Sequence, residues 1–166
     1  MESLDIVLEN ATRSYTDEEK TALATRKNGY YLELIRAITP ADLLPGVPEF
    51  LKALRAAGIR QAIGSSSKNS PVILQQTGLA AWFDATADGN DIRRSKPDPE
   101  VFLLAAQRLG LSPAECVVVE DADAGVEAAL AAGMRVIAVG AAAGHPRASL
   151  GAPGLDAVNP DVFKTL

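Results

Sequence analysis

The 166-residue chain is 48% hydrophobic and 22% charged, the make-up of a globular protein with one domain, or one domain plus an appendage, and a substantial core. Its net charge of -5 argues against a nucleic-acid partner, which selects a basic face, and its single cysteine, Cys116, cannot close an internal disulfide. No apolar run reaches membrane-spanning length and the polar first residues do not make a signal peptide, so a cytoplasmic protein with no membrane partner is expected.

Leu4, Val7, Leu8 and Ala11 recur at helical spacing and predict a first helix. Thr16, with Glu19 three residues on, is a capping-box pair that opens a second helix running to just before Pro40. Leu23, Lys27, Tyr30, Leu34 and Ile38 share one sector of it. Two readings of Lys27 stand: an ammonium snorkelling out of an apolar stripe, or a cation reaching an anionic ligand across a cleft. Residues 1–42 therefore read as an all-α piece.

From Pro45-Gly46 the chain alternates helix and strand, the pattern of a doubly wound parallel sheet over residues 43–166. Phe50, Leu51 and Leu54 give a helix its buried face, Gly58 ends it, and Ile59 to Gly64 is a strand. Ser65-Ser66-Ser67-Lys68-Asn69-Ser70-Pro71 follows, with Ser70 and Pro71 reading as N-cap and first residue of the next helix. Three hydroxyls and a lysine at such a junction make a phosphate-sized cradle; the plainer reading is a polar strand-to-helix turn. Gly78 closes that helix, Trp82 is expected in the core, and Phe83 to Ala87 is a brief strand. Pro97 biases Lys96 toward extended backbone, while Asp98 and Pro99 start a helix bearing Val101, Phe102, Ala105, Ala106 and Leu109. Lys96 is then either held on a stiff turn or simply solvated in a basic loop.

Three consecutive valines after Cys116 predict a central parallel strand covered on both faces, with Cys116 a small core residue and not a nucleophile. Glu120 and Asp121 fall at its carboxyl end, the edge where open α/β sheets bind ligands, and two adjacent carboxylates suit a hard cation such as Mg²⁺. The alternative is that Asp121 or Asp123 caps the following helix, whose Val126, Ala129 and Leu130 share a face before Gly133. Arg135 to Gly140 predicts another strand, then a loop to Gly154, with Leu155 to Val158 a short edge strand. His145, the only histidine, has no acid or cysteine near it in sequence and is expected to be exposed and inert, which leaves a Ser-His-Asp triad or a zinc site unsupported.

Taken in order, Ser65-Ser66-Ser67-Lys68-Asn69, Ser95-Lys96-Pro97-Asp98-Pro99 and Glu120-Asp121-Ala122-Asp123-Ala124-Gly125 resemble the β-phosphoglucomutase group of the haloacid dehalogenase superfamily. Arg26-Lys27-Asn28 and Ile38-Thr39-Pro40-Ala41-Asp42 resemble its cap domain, so the likeness covers nearly the whole chain. The resemblance implies an α/β fold, a doubly wound parallel (Rossmann-like) sheet with a partial α-helical cap. It implies that Ser65 bonds the transferring phosphoryl group, that Lys96 neutralises its charge, and that Glu120 and Asp121 hold Mg²⁺. Ser66, Ser67, Lys68, Asn69 and Lys27 would grip the other phosphate of a sugar phosphate. The implied reaction is isomerisation of β-D-glucose 1-phosphate to glucose 6-phosphate through a phospho-aspartate, or hydrolysis of sugar phosphates. A non-catalytic phosphate-binding or subunit protein is the remaining reading.

One departure stands out. The group's opening motif, Asp-x-Asp-Gly, is absent from this sequence, and with it the aspartate that becomes phosphorylated. Asp88-Gly89 comes nearest, but Thr86 stands where the nucleophile is needed. We therefore expect a sequence truncated at its amino end, inactive by itself, with a break in the sheet between the Ile59 and Cys116 strands. Each buried backbone group left unpaired costs about 1 to 3 kcal/mol, against a net stability of roughly 5 to 15 kcal/mol. Direct pairing of the two strands, self-association or strand complementation by another chain, or poor folding are the expected ways out.

Overall fold

The computed structural model describes Leu8, Ala11 and residues 13–166. The chain divides into two compact units, Met1–Ile38 and Thr39–Leu166. In the first, Leu4 and Val7 of the expected opening helix lie outside the described residues; Leu8 is helical and its carbonyl accepts the Ala11 N–H at 3.0 Å. Helix α1 (Asp17–Ala37) begins at the expected capping box: the Glu19 N–H donates to Thr16 Oγ1 at 3.2 Å and the Thr16 N–H to Glu19 Oε2 at 2.9 Å. Asp17, Glu18 and Glu19 place negative charge on the positive end of the helix dipole. The anticipated apolar stripe is not the buried face. Tyr30 and Leu34 are exposed, and the buried residue is Ile35, about 100° further round the helix.

The second unit opens with a turn in which Asp42 Oδ2 accepts both the N–H and the hydroxyl of Thr39, at 2.8 and 2.9 Å. Helix α2 (Val47–Ala56) precedes two parallel sheets. In one, β1 (Ala62–Gly64) pairs with β2 (Ala85–Ala87), Ile63 opposite Thr86. In the other, β3 (Val117–Glu120), β4 (Arg135–Val139) and β5 (Leu150–Ala152) lie side by side, with Val118 opposite Val136 and Ala138 opposite Gly151. Helices α3 (Ser70–Gln76), α4 (Glu100–Leu109) and α5 (Asp123–Ala131) complete the α/β architecture.

Apolar residues fill both faces of the larger sheet, which accounts for the unbroken valine run. On one face, Val118, Val136 and Ala138 pack with Val101, Phe102 and Ala105 of α4 and Val126 and Ala129 of α5. On the other, Val117, Val119, Ile137 and Val139 meet Phe50 and Leu54 of α2. Cys116 is half-buried against the first of these cores, and burial raises its thiol pKa. Among the described residues no helix is long and apolar enough to cross a membrane.

Five expectations need correction. Among the described residues β1 and β3 lie in separate sheets, so the expected break is present and direct pairing, one of the three ways out, is not made; β3 is not central but an edge strand, with β4 the centre of its sheet. A run of valines reports what covers a strand above and below, not what lies beside it. Strand β1 is shorter than expected: the Gln61 carbonyl still accepts the Asp84 N–H at 2.8 Å, but the Gln61 N–H turns to Asp84 Oδ2 at 2.8 Å in place of a backbone carbonyl, and the regular ladder begins at Ala62. Trp82 belongs to neither core: it sits half-buried in a 3₁₀ turn, with the Arg55 guanidinium 4.7 Å from its ring centre. The last strand is Leu150–Ala152, whose glycine weakens the strand signal, while Leu155–Ala157 is a 3₁₀ turn. His145 is not exposed: its side chain keeps 10% accessibility, Nε2 lies 3.1 Å from Glu127 Oε1 of α5, and Nδ1 accepts the Arg147 N–H.

Candidate active site

The ladder between β1 and β2 ends where the Ser65 N–H donates to the Ala87 carbonyl at 3.0 Å. Beyond it the chain makes two successive serine turns: Ser65 Oγ accepts the Ser67 N–H at 3.1 Å and Ser67 Oγ accepts the Asn69 N–H at 3.2 Å. Each hydroxyl keeps its own proton to donate outward. Helix α3 starts one residue earlier than expected, with Asn69 at the N-cap and Ser70 buried in its first turn. Lys68 is exposed, and its ammonium has no partner among the described residues.

After β2, Asp88-Gly89-Asn90-Asp91 folds against this turn. The Gly89 N–H donates to the Ser67 carbonyl at 3.3 Å and Asn90 Nδ2 to the Lys68 carbonyl at 3.0 Å. Asp88 is buried, and its Oδ1 accepts the Asn90 N–H and Nδ2 at 2.8 and 2.9 Å. Asp91 Oδ2 accepts the Asp88 N–H, and both carboxylate oxygens receive Arg108 of α4 at 2.8 Å, which draws the Asp91 pKa down to about 2.

Lys96, on a turn with a cis bond to Pro97, donates its backbone N–H to Ser66 Oγ at 3.4 Å. Its ammonium lies 2.7 Å from Glu120 Oε2 and 4.5 Å from the centre of the Phe102 ring. Both side chains are largely withdrawn from water, 18% exposed for Lys96 and 9% for Glu120. Phe102 also backs β1, because a Cβ on Gly64 would lie 2.7 Å from its ring.

Glu120 closes β3 and turns back on itself. Its Oε1 accepts the N–H groups of Asp121 and Ala122 at 3.2 and 3.3 Å. The N-cap of α5 is Ala122, with no side-chain cap, so the reading in which Asp121 or Asp123 caps that helix is set aside. Gly125 lies directly beneath Glu120, and a Cβ there would collide with the glutamate carboxyl. Asp121 is exposed beside it.

Through Ser66, Lys96 and Glu120 the carboxyl-end loops of both sheets thus form one polar rim. Ser65, Ser67, Lys68, Asn69 and Asp121 flank that rim, whereas Lys27 lies exposed on α1 of the first unit. Phe102, Asn90 and the Asp91–Arg108 pair entered through the structure alone. The run of turn formers at Asp88-Gly89-Asn90-Asp91 was the one available signal for the last two, since such residues bond their own and neighbouring backbone.

A haloacid dehalogenase-like hydrolase family model matches residues 1–133. The chain belongs to this family. Among the relatives of this haloacid dehalogenase-like chain, the β-phosphoglucomutase of Bacillus subtilis is 43% identical over 141 residues, 84% of this chain and 62% of the relative. Hexitol phosphatase A of Escherichia coli is 48% identical over 106 residues, 63% of this chain and 49% of the relative. The chain therefore spans about half to three-fifths of the length of these relatives. A crystal structure of β-phosphoglucomutase from Clostridium difficile superimposes with a TM-score of 0.88 at 35% identity, over 99% of this chain and 74% of that one.

Proposed function

We propose that residues 43–166 carry the phosphate-gripping and charge-neutralising part of a β-phosphoglucomutase-type phosphoryl-transfer site, with residues 1–42 a partial cap. The observation that carries the proposal is the withdrawal of Lys96 from water to within 2.7 Å of Glu120, at a rim that also holds the serine turns. Phosphoryl transfer asks a protein mostly for position and countercharge. A lysine about 4 Å from a phosphate charge contributes on the order of 4 kcal/mol at intermediate dielectric, before desolvation.

In this reading Ser65 donates its hydroxyl proton to the transferring phosphoryl group and Lys96 neutralises the charge that develops there. Ser66, Ser67, Lys68 and Asn69 grip the other phosphate of the substrate. Mg²⁺ would be held by Glu120 and Asp121. Mg²⁺ takes one or two carboxylates and completes its shell with phosphate and water, so the adjacent pair suits it, although among the described residues no cluster of three or more ligands exists. When bound, the ion offsets charge on the phosphate oxygens. Glu120 holds Lys96 in place, and Phe102 excludes water beneath it.

The proposed reaction is isomerisation of β-D-glucose 1-phosphate to glucose 6-phosphate. Because the sequence has no Asp-x-Asp-Gly, we propose that the chain alone binds its sugar phosphate without turning it over. The edges of β1 and β3 that no strand covers among the described residues make self-association or strand complementation the proposed route to a complete sheet. Its lone, free cysteine suits a reducing compartment, and the cytoplasm is the proposed setting. A second reading, hydrolysis of a sugar phosphate, rests on the 48% identity to a hexitol phosphatase. Incubation with β-glucose 1-phosphate, a sugar bisphosphate activator and Mg²⁺, following glucose 6-phosphate and inorganic phosphate separately, tests the proposal. Neither product should form. Glucose 6-phosphate at a rate near that of a full-length relative would overturn the assignment of inactivity, and phosphate release would favour hydrolysis.

A further inference from the structure

We propose that Asn90, working with Gly89 beneath the turn, is a positioning residue that sets the orientation of two successive peptide planes in the Ser65–Asn69 cradle. A trans peptide is planar, so the direction of its carbonyl fixes the opposite direction of the N–H it carries. The Gly89 N–H holds the Ser67 carbonyl, and that peptide's other end is the Lys68 N–H, which has no acceptor among the described residues. Asn90 Nδ2 holds the Lys68 carbonyl at 3.0 Å, and that peptide's other end is the Asn69 N–H, directed to Ser67 Oγ. The two contacts therefore aim one open N–H and one serine hydroxyl away from the Asp88–Asp91 loop.

Asn90 is itself fixed. Its side chain and its N–H both bond Asp88 Oδ1, and the loop is tied through Asp91 to Arg108 of α4. Gly89 is required by contact, since a Cβ there would run into the Ser66 carbonyl and come within 2.8 Å of the Lys68 nitrogen. Asn90 touches neither Lys96 nor Glu120 in the structure; it acts on an anion only through the backbone it orients. The consequence for binding rests on the proposed phosphate-binding role, whereas the clasp itself does not.

Asn90→Ala tests it, because Asn90 is exposed and its loss opens no core cavity. Site-resolved hydrogen exchange of the whole chain should show the Asn69 amide, carried by the peptide that Asn90 holds, exchanging about three- to tenfold faster in the variant, the worth of one hydrogen bond. Amides of β4 and α5 should keep their protection. Calorimetric titration with inorganic phosphate should show about three- to tenfold weaker binding in Asn90→Ala than in the parent chain. Gly89→Ala, which displaces the same turn by contact, should reproduce both effects. Unchanged exchange at Asn69, or a rise spread equally through β4 and α5, would overturn the proposal. Faster exchange at Asn69 in a chain that binds no phosphate at all would support the clasp and overturn the phosphate-binding role.

Discussion

The two parallel sheets of the second unit lean on apolar packing to different degrees. In β3–β5, Val136, Ile137 and Ala138 are fully buried between two cores. In β1, by contrast, none of the three residues is buried, and in β2 the one buried residue is Ala87, which shares a core with Val136 and Ala138. What secures the ends of β1 and β2 is polar: the Gln61–Asp84 bond, the serine turns, the Asn90 clasp and the Arg108–Asp91 pair. Apolar sandwiching is non-directional and gives one half its stability. Hydrogen bonds are directional and give the other half its geometry, at a modest net contribution each. Local stability should therefore differ across the molecule, low where the serine turns lie and high in the sheet that carries the acid pair.

The largest expected effect breaks the comparison at its strong end. Ile137→Ala should destabilise the protein by about 3 kcal/mol, and Ile63→Ala in β1 by about 1 kcal/mol, both read from denaturant midpoints. Equal costs at the two positions would erase the distinction between the sheets.

A smaller effect separates a glycine that a site requires from one that it does not. Gly125→Ala forces a Cβ into the Glu120 carboxyl, so despite gaining helix propensity it should cost about 1 to 2 kcal/mol and disturb Lys96. At Gly29 on α1 a Cβ meets nothing within 4 Å, and Gly29→Ala should stabilise by about 0.5 to 1 kcal/mol. Thermal midpoints that move in the same direction would contradict the reading of Gly125.

Much of the architecture was legible because it rests on local rules. The Thr16–Glu19 box, the glycine stops at Gly58, Gly78, Gly110 and Gly133, and the both-face valine strand all depend on neighbours within a few residues. Of the candidate site, Ser65, Lys96, Glu120 and Asp121 were readable as chemistry at strand ends. What joins them was not: the Phe102 ring under Lys96 is a tertiary contact between a turn and a helix. The acid facing His145 comes from Glu127, 18 positions back along the chain, which proximity in sequence does not report. The edge position of β3 is likewise a matter of lateral neighbours, to which burial patterning is blind.

The smallest effect concerns pH. Arg108 lowers the Asp91 pKa from 3.8 to about 2 on folding, so this pair contributes stability that is present above 3.8 and lost as the pH falls toward 2. The thermal midpoint of the parent chain should drop more steeply across that window than that of Asp91→Asn. Parallel curves would show that the pair does not anchor the β2 loop, and would weaken the polar account of that half.

Calorimetric titration with glucose 6-phosphate, run with and without Mg²⁺ on the parent chain, Lys96→Ala and Asp121→Asn, tests most directly whether lysine, serines and acid pair work as one site. We predict binding that is strengthened by Mg²⁺ in the parent, loses that strengthening in Asp121→Asn, and falls at least tenfold in Lys96→Ala, about 1.4 kcal/mol. The same affinity in all three proteins, indifferent to Mg²⁺, would contradict it.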